Sequence, residues 1–218
     1  MSIIIGEVGS NHLGNLSRAK EFIHAIAEAG AQIAKFQLFE PEQFPHNIAI
    51  PESWTPELEK ECASKGIGFL LSAFYFVNFG EITISKEDNK TSFEFGYSFP
   101  IVKIAYSQRH NFSLIRHFQG MGSKLIVSGD ANTWWPKDCI KLACVPEYPS
   151  CENDYHFYES DYFDGISWHG VGIDYLLEKQ PRWVEVHVKM GDEKKSPDAG
   201  SFAITPAELK QLVKKLNG

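Results

Sequence analysis

A chain of 218 residues with 43% hydrophobic content and a net charge of −7 can bury one sizeable core and is too apolar to be disordered. The negative balance argues against nucleic acid as a partner, because binding a phosphate backbone needs basic patches. No apolar run reaches membrane-spanning length, and the start MSIIIGEVGS lacks the basic residues and long apolar core of a signal peptide, so the expectation is a soluble, cytoplasmic protein without a membrane partner.

Ile3-Ile4-Ile5 opens a buried strand running to about Val8, β-branched as parallel sheets are. Glu7 interrupts it, and a carboxylate inside a buried strand is costly unless paired or facing a site. A polar loop follows, and then Leu16, Ala19, Phe22, Ile23, Ile26 and Ala27 recur at helical spacing, with Gly30 as the stop. The next strand, Gln32 to Phe39, carries Lys35 and Gln37 on one face, and a buried ammonium asks for an anion. Thr55-Pro56 reads as a helix start with Thr55 as the cap, and Gly66 ends that helix before a strand at Ile67 to Ser72. The stretch from Glu81 to Ser98 is charged, glycine-interrupted and partly alternating, which suggests an inserted hairpin or loop. Ile101 to Ala105 is a strand carrying Lys103, and Asn111 caps a helix through Leu114, Ile115 and Phe118. Lys124 to Ser128 and Ile140 to Val145 are two further strands. Thr205-Pro206-Ala207-Glu208 is a capping box that opens the last helix.

Phe163 to Val188 is the most informative stretch. Gly165-Ile166-Ser167 is a short strand ending on His169, Val171 to Lys179 can form a short helix, and Arg182 to Val188 alternates with strand periodicity. If these two strands are parallel neighbours, about 4.8 Å apart, their terminal histidines converge outside the sheet, as the ligands of a barrel metal site do. Ser167 and Glu185 each lie two residues ahead of a histidine and point to the same side. His12, in the first loop, can also line such a site. The four cysteines, Cys62, Cys139, Cys144 and Cys151, form no CxxC pair, so reduced thiols are expected rather than structural zinc.

Eight short strands with intervening helices indicate an α/β fold: a single domain over residues 1–218, a compact (β/α)8 TIM barrel with some helices shortened. The shortening falls at 132–138 and 151–162. A doubly wound sheet is the alternative, but no GxGxxG follows the first strand.

Seven segments, in order, resemble the sialic acid synthase (N-acetylneuraminate synthase) family. Residues 7–14, EVGSNHLG, are similar to its GEIGxNHxG. Lys35-Phe36-Gln37 resembles KFQ, Lys103-Ile104-Ala105 the KI(G/A)S strand, and Cys144 with Glu147-Tyr148-Pro149 the C-T-x-x-YP turn. Ser167-Trp168-His169 stands where the family has SDH, Glu185-Val186-His187 where it has EKH or ERH, and Ser196-Pro197-Asp198 resembles GPD. The resemblance implies condensation of phosphoenolpyruvate with an aldose or amino sugar to a sialic-acid-like acid. It implies that His169 and His187 hold a divalent metal, with manganese first and magnesium, cobalt or zinc as alternatives. Lys35, Ser72, Lys103, Ser128 and Ser167 would hold phosphoenolpyruvate, Tyr148 and Asp198 would contact the sugar, and Glu7 would sit beside the reacting carbons, to orient or deprotonate the water that adds, with Glu185 a further catalytic candidate and Gln108 in the place of a family glutamate.

The sequence also departs from the family. Tyr106 replaces a serine, Val145 and Pro146 replace two polar residues, and Trp168 replaces an aspartate. Family members usually carry a C-terminal antifreeze-like domain whose arginine reaches the sugar. The 218 residues account for the barrel alone, so the expectations are a homodimer or a separate cap subunit, and poor use of N-acetylmannosamine by the isolated chain. One of three segments, 81–98, Trp134-Trp135 or 155–162, is expected to cover the mouth. The alternative is a non-catalytic barrel that binds a metal or an anion.

Overall fold

The computed structural model describes residues 1–75, 83–87, 90–94, 101–191 and 196–218, with the backbone alone for the two short inner stretches. The chain lays down β1 (Ile3–Glu7), β2 (Ile33–Leu38) and β3 (Gly68–Ala73), then an antiparallel pair, β4 (Thr83–Glu87) and β5 (Lys90–Glu94). It continues with β6 (Ile101–Ile104), β7 (Lys124–Gly129), β8 (Ile140–Cys144), β9 (Gly165–Trp168) and β10 (Trp183–His187). All strands except β4 and β5 form one closed barrel, each parallel to the next, with β10 pairing back onto β1. The α/β barrel reading therefore holds and the doubly wound alternative does not. The β4–β5 pair falls inside the expected insertion, whose remaining residues (81–82, 88–89 and 95–98) lie outside the described ones.

The outer layer among the described residues has five α-helices: α1 (Leu16–Glu28), α2 (Thr55–Ser64), α3 (Phe112–Gly120), α4 (Asp174–Lys179) and α5 (Pro206–Asn217). Their ends follow side-chain chemistry. Asn15 accepts from the Arg18 amide at α1, Asn111 accepts from the Leu114 amide at α3, and Thr205 with Glu208 forms the reciprocal box at α5. Thr55 differs from expectation: it is already helical, and its hydroxyl donates to the Glu52 carbonyl of a preceding 3-10 turn. No α-helix follows β7 or β8 among the described residues, and only a 3-10 turn at Glu152–Tyr155 stands between β8 and β9. No described helix is long and apolar enough to cross a membrane.

Two apolar layers result. Outward strand residues such as Ile4, Ala34, Phe36, Val102, Val127 and Val184 meet the helices in one large core. A smaller cluster, Ile5, Leu70, Ile126, Ile140 and Leu142 with Ile33, Ile101 and Trp183, plugs the barrel from inside. Each fully buried aliphatic side chain in these layers contributes on the order of 1.5–3 kcal/mol. The inner plug closes the lower end of the barrel, so whatever inward-facing residues come next along the strands form the floor of its open end.

Candidate active site

Side chains alternate along a strand, so the residue two positions after each inward apolar residue is also inward. Counting from the plug gives Ile5 then Glu7, Ile33 then Lys35, Leu70 then Ser72, and Ile101 then Lys103. It gives Ile126 then Ser128, Leu142 then Cys144, and Trp183 then Glu185. Strand pairing puts Ser167 beside both Cys144 and Glu185, and Glu7 beside both Lys35 and His187. Apart from Glu7, this polar layer is the floor of a cavity of about 420 Å³ at the C-terminal ends of the strands, where barrel enzymes place their chemistry.

The layer is electrostatically matched. Lys35 Nζ lies 2.6 Å from Glu7 Oε2 and 3.3 Å from Glu185 Oε1, and Lys103 Nζ lies 3.1 Å from the same Glu185 oxygen. Ser167 Oγ donates to that oxygen at 2.9 Å, and the Gly9 amide donates to Glu7 Oε1 at 2.8 Å. Burial alone would raise the Glu185 carboxyl, but Lys103 and Lys35 outweigh it and hold the group ionised, well below its usual range. Burial raises Glu7, and Lys35 only partly offsets this. Burial pulls Lys35 down, yet its two carboxylates carry it above the normal lysine value, whereas at Lys103 burial wins and the pKa is lowered. The hydroxyls of Ser72 and Ser128, and Glu185 Oε2, are buried without a hydrogen-bond partner. Polar atoms in that state are rare unless something binds them.

Two imidazoles stand above this floor, 5.6 Å apart between ring centroids. His169 Nδ1 lies 2.6 Å from the Val145 carbonyl, which can only accept, so the proton sits on Nδ1 and Nε2 keeps its lone pair. Burial lowers the His169 pKa to about 3, so the ring stays neutral. His187 Nδ1 has no hydrogen-bond partner and lies 3.6 Å from Asp198 Oδ1. Two imidazoles side by side on one cavity are a donor set that fits a divalent cation. Among the described residues no three His, Cys, Asp or Glu side chains gather as a metal cluster, and the two imidazoles leave positions that oxygens of water or substrate can fill. Asp198 Oδ2 accepts from the Ser10 amide at 2.7 Å and from Asn47 Nδ2 at 3.3 Å. Gly9 makes this possible: its φ is +52°, and a Cβ there would lie 2.6 Å from Asp198 Oδ2. Tyr148 stacks on His169 with centroids 4.0 Å apart.

No protein-family model and no curated protein matches the sequence. Solved structures do. The N-acetylneuraminic acid (sialic acid) synthetase of Leptospira borgpetersenii serovar Hardjo-bovis, in complex with citrate, superposes with a TM-score of 0.79 at 23% identity, covering 99% of this chain and 82% of that one. The Bacillus subtilis spore coat polysaccharide biosynthesis protein spsE gives 0.71 at 20% identity, over 99% and 67%. A truncated 3-deoxy-D-arabino-heptulosonate 7-phosphate synthase from Thermotoga maritima gives 0.64 at 14%, over 99% and 85%. The fold is the (β/α)8 barrel of these structures.

Within this barrel, ten residues singled out from the sequence line the cavity: Lys35, Ser72, Lys103, Ser128, Tyr148, Ser167, His169, Glu185, His187 and Asp198. Two do not. Glu7 is fully buried behind Lys35, and Gln108 accepts from Asn111 Nδ2 at 3.0 Å in the turn before α3. His12 is not a lining residue either. Its Nε2 donates to the Ile48 carbonyl at 3.1 Å and its Nδ1 accepts from the Gly14 amide at 3.1 Å. Of the departures from the family pattern, Tyr106 and Pro146 reach the cavity. Trp168 points outward and stacks on Tyr175 at 5.0 Å.

The expected covers behave differently. Tyr155 is buried, its hydroxyl donating to the Ser167 carbonyl at 2.7 Å, and Tyr162 packs on Phe163. Trp134 lies exposed against Phe112 and Trp135 packs on Phe163. Neither of these two segments lines the cavity. The wall is completed instead by Phe44 and Asn47 from the loop after β2, and by Phe74. The edge-on packing of Phe39, Phe44 and Phe74 was foreshadowed only by phenylalanines in an otherwise polar loop.

Proposed function

We propose that the chain is a member of the sialic acid synthase family that condenses phosphoenolpyruvate with an aldose or amino sugar, in a metal-dependent reaction, to a sialic-acid-like nonulosonic acid and phosphate. One observation carries this reading. Two ammonium groups and three hydroxyls, two of them unpartnered and buried, form the floor of one cavity that is also lined by two imidazoles. A cavity of about 420 Å³ is within the usual range for small-molecule sites, about 300–1,000 Å³. The fold shared with synthases that make sugar acids supports the same reading.

In this reading Lys103, Lys35, Ser72, Ser128 and Ser167 take the phosphate and carboxylate oxygens of phosphoenolpyruvate in a largely dry floor. His169 and His187 would hold the divalent cation, manganese by preference, which when bound supplies Lewis-acid polarisation of the aldehyde. Tyr148 and Asp198 border the acceptor. The enol carbon C3 bonds to the aldehyde carbon, leaving an alkoxide and an electron-poor C2. Water adds to C2, and Glu185, the ionised carboxylate on the cavity, takes its proton. Glu185 hands that proton on to the alkoxide, which restores the carboxylate. The bond from C2 to the phosphate oxygen then breaks as the C2 hydroxyl proton leaves with the departing phosphate, giving a 2-keto acid and hydrogen phosphate. Glu7, expected to handle the water itself, does not line the cavity and is given instead the indirect role of holding Lys35. The mouth would be completed by a second copy or a separate cap subunit.

The test is phosphate release from phosphoenolpyruvate and manganese across a panel of aldoses. Glu185→Gln is expected to lower kcat by about 10²–10⁴-fold. Binding of phosphoenolpyruvate without release from any aldose would favour a non-catalytic anion-binding barrel. That second reading is motivated by Glu7 and Glu185, which already neutralise both lysines.

A further inference from the structure

The ring nitrogens of His169 and His187 are engaged differently. His187 Nδ1 has no hydrogen-bond partner. His169 Nε2 has one: the Tyr148 hydroxyl, 3.0 Å away. Because His169 Nδ1 carries the proton toward the Val145 carbonyl, Nε2 is an acceptor and the phenol must donate to it. An imidazole nitrogen has a single in-plane lone pair, so it cannot accept that proton and bind a cation together. The phenol is also held by its rings: it stacks on His169, meets His187 edge-on at 5.6 Å, and meets Phe202 edge-on at 4.9 Å. Yet about half of Tyr148 is exposed (51%), so the side chain has open space into which to turn.

We infer that the Tyr148 hydroxyl is the resident occupant of the cation-binding nitrogen of His169, and that it must be displaced before a divalent cation binds. Tyr148 is then a positioning residue that sets cation affinity, in addition to bordering the acceptor. The inference rests on the reading of His169 as a cation ligand, and deepens it. Cation entry breaks the hydrogen bond to Nε2 and so releases the hydroxyl of a side chain that borders the acceptor. Cation binding and the shape of the acceptor side are therefore coupled through one side chain.

The experiment is manganese titration, by calorimetry and by electron paramagnetic resonance, of the wild-type chain, Tyr148→Phe and His169→Ala. Tyr148→Phe keeps the ring and removes the competing donor, so it should bind manganese about fivefold more tightly, the fold-change expected for losing one net hydrogen bond. His169→Ala should weaken binding at least tenfold. Equal or weaker binding by Tyr148→Phe overturns the inference, and weaker binding identifies the phenol as a ligand in its own right. Unchanged binding by His169→Ala overturns the underlying metal reading, which is a separate failure. A second measurement does not depend on affinity. In protein labelled with 3-fluorotyrosine, the fluorine resonance missing from Tyr148→Phe identifies Tyr148. Zinc, which is diamagnetic, should shift it in the wild-type chain, and an unmoved resonance at saturating zinc would also overturn the inference.

Discussion

At His12 both ring nitrogens are committed: Nε2 donates to the Ile48 carbonyl, and Nδ1 accepts from the Gly14 amide. Only the neutral ring can do both, since a protonated Nδ1 would face an N–H with an N–H. Burial lowers the pKa from 6.5 to about 4, against partial compensation by the Ile48 carbonyl and Asp198. The folded pKa lies below the unfolded one, so this contribution to stability is full above pH 6.5 and is lost as the pH falls toward 4. The slope reaches about 1.4 kcal/mol per pH unit for one group. The loop it holds carries Ser10 and Asn11, and the Ser10 amide binds Asp198 beside His187. Denaturant titrations at pH 7.5, 6 and 5 should show His12→Gln well below the wild-type chain at pH 7.5, with the gap narrowing as pH falls. A gap that stays constant would mean that the ring's neutrality has no part in holding the loop. The same buried position that makes a histidine look functional in a sequence makes this one structural, because its two partners are backbone groups that no local pattern reveals.

At the scale of elements, the consequence of strand alternation is clearest in β9, where Ser167 and His169 reach the cavity while Trp168 faces the helices. Trp168 is 1% exposed, stacks on Tyr175, contacts Tyr155 at 5.0 Å and donates its indole N–H to the Gly172 carbonyl. Gly170 has no Cβ because one would collide with this indole. Trp168→Ala should therefore cost about 3–5 kcal/mol of stability, as large buried aromatics do, while leaving His169 Nδ1 its carbonyl partner. Thermal unfolding would check it, and a loss under 1 kcal/mol would place the indole outside the core. The replacement of an aspartate here looked like a lost site residue in sequence, and it is a packing change on the other face of the strand. The strands themselves were legible, since apolar runs of four to six residues with one charge each are hard to place except at a barrel's open end. Lys35, Lys103, Glu185 and both histidines follow from that count. Loop contributions were not legible. Asn47 meets Asp198 across 151 residues of sequence, and Gln108 is drawn into bracing the start of α3. Both depend on closure of the whole barrel and leave no periodic signal.

For the molecule as a whole, closing the sheet brings residues far apart in sequence onto one floor: Lys103 and Glu185 are 82 positions apart and 3.1 Å from each other. The plug beneath them is apolar, so each charge on the floor is held in a poorly solvated place and is costly unless matched. Glu185 gains from two lysines, but among the described residues Lys103 pairs with one carboxylate, Glu185, and feels Lys35 as a like charge, so burial outweighs the pairing and lowers its pKa. An anion placed against Lys103 would supply the missing partner, together with the open hydroxyls of Ser72 and Ser128. Binding confined to the folded barrel raises stability by linkage: at a hundredfold excess over Kd the gain is about 2.7 kcal/mol, or about 5–11 °C in Tm for a chain of this size. Phosphoenolpyruvate should produce such a shift in the wild-type chain. Lys103→Met keeps the aliphatic stem, and it leaves Glu185 with Lys35 at 3.3 Å and Ser167 at 2.9 Å, so the variant should fold while losing most of the shift. Scanning fluorimetry over a range of phosphoenolpyruvate concentrations reads both quantities at once. If Lys103→Met melts normally and still gains the wild-type increment, the anion does not bind at this floor. The two lysines would then serve only to neutralise Glu7 and Glu185, and the barrel's open end would need a different ligand.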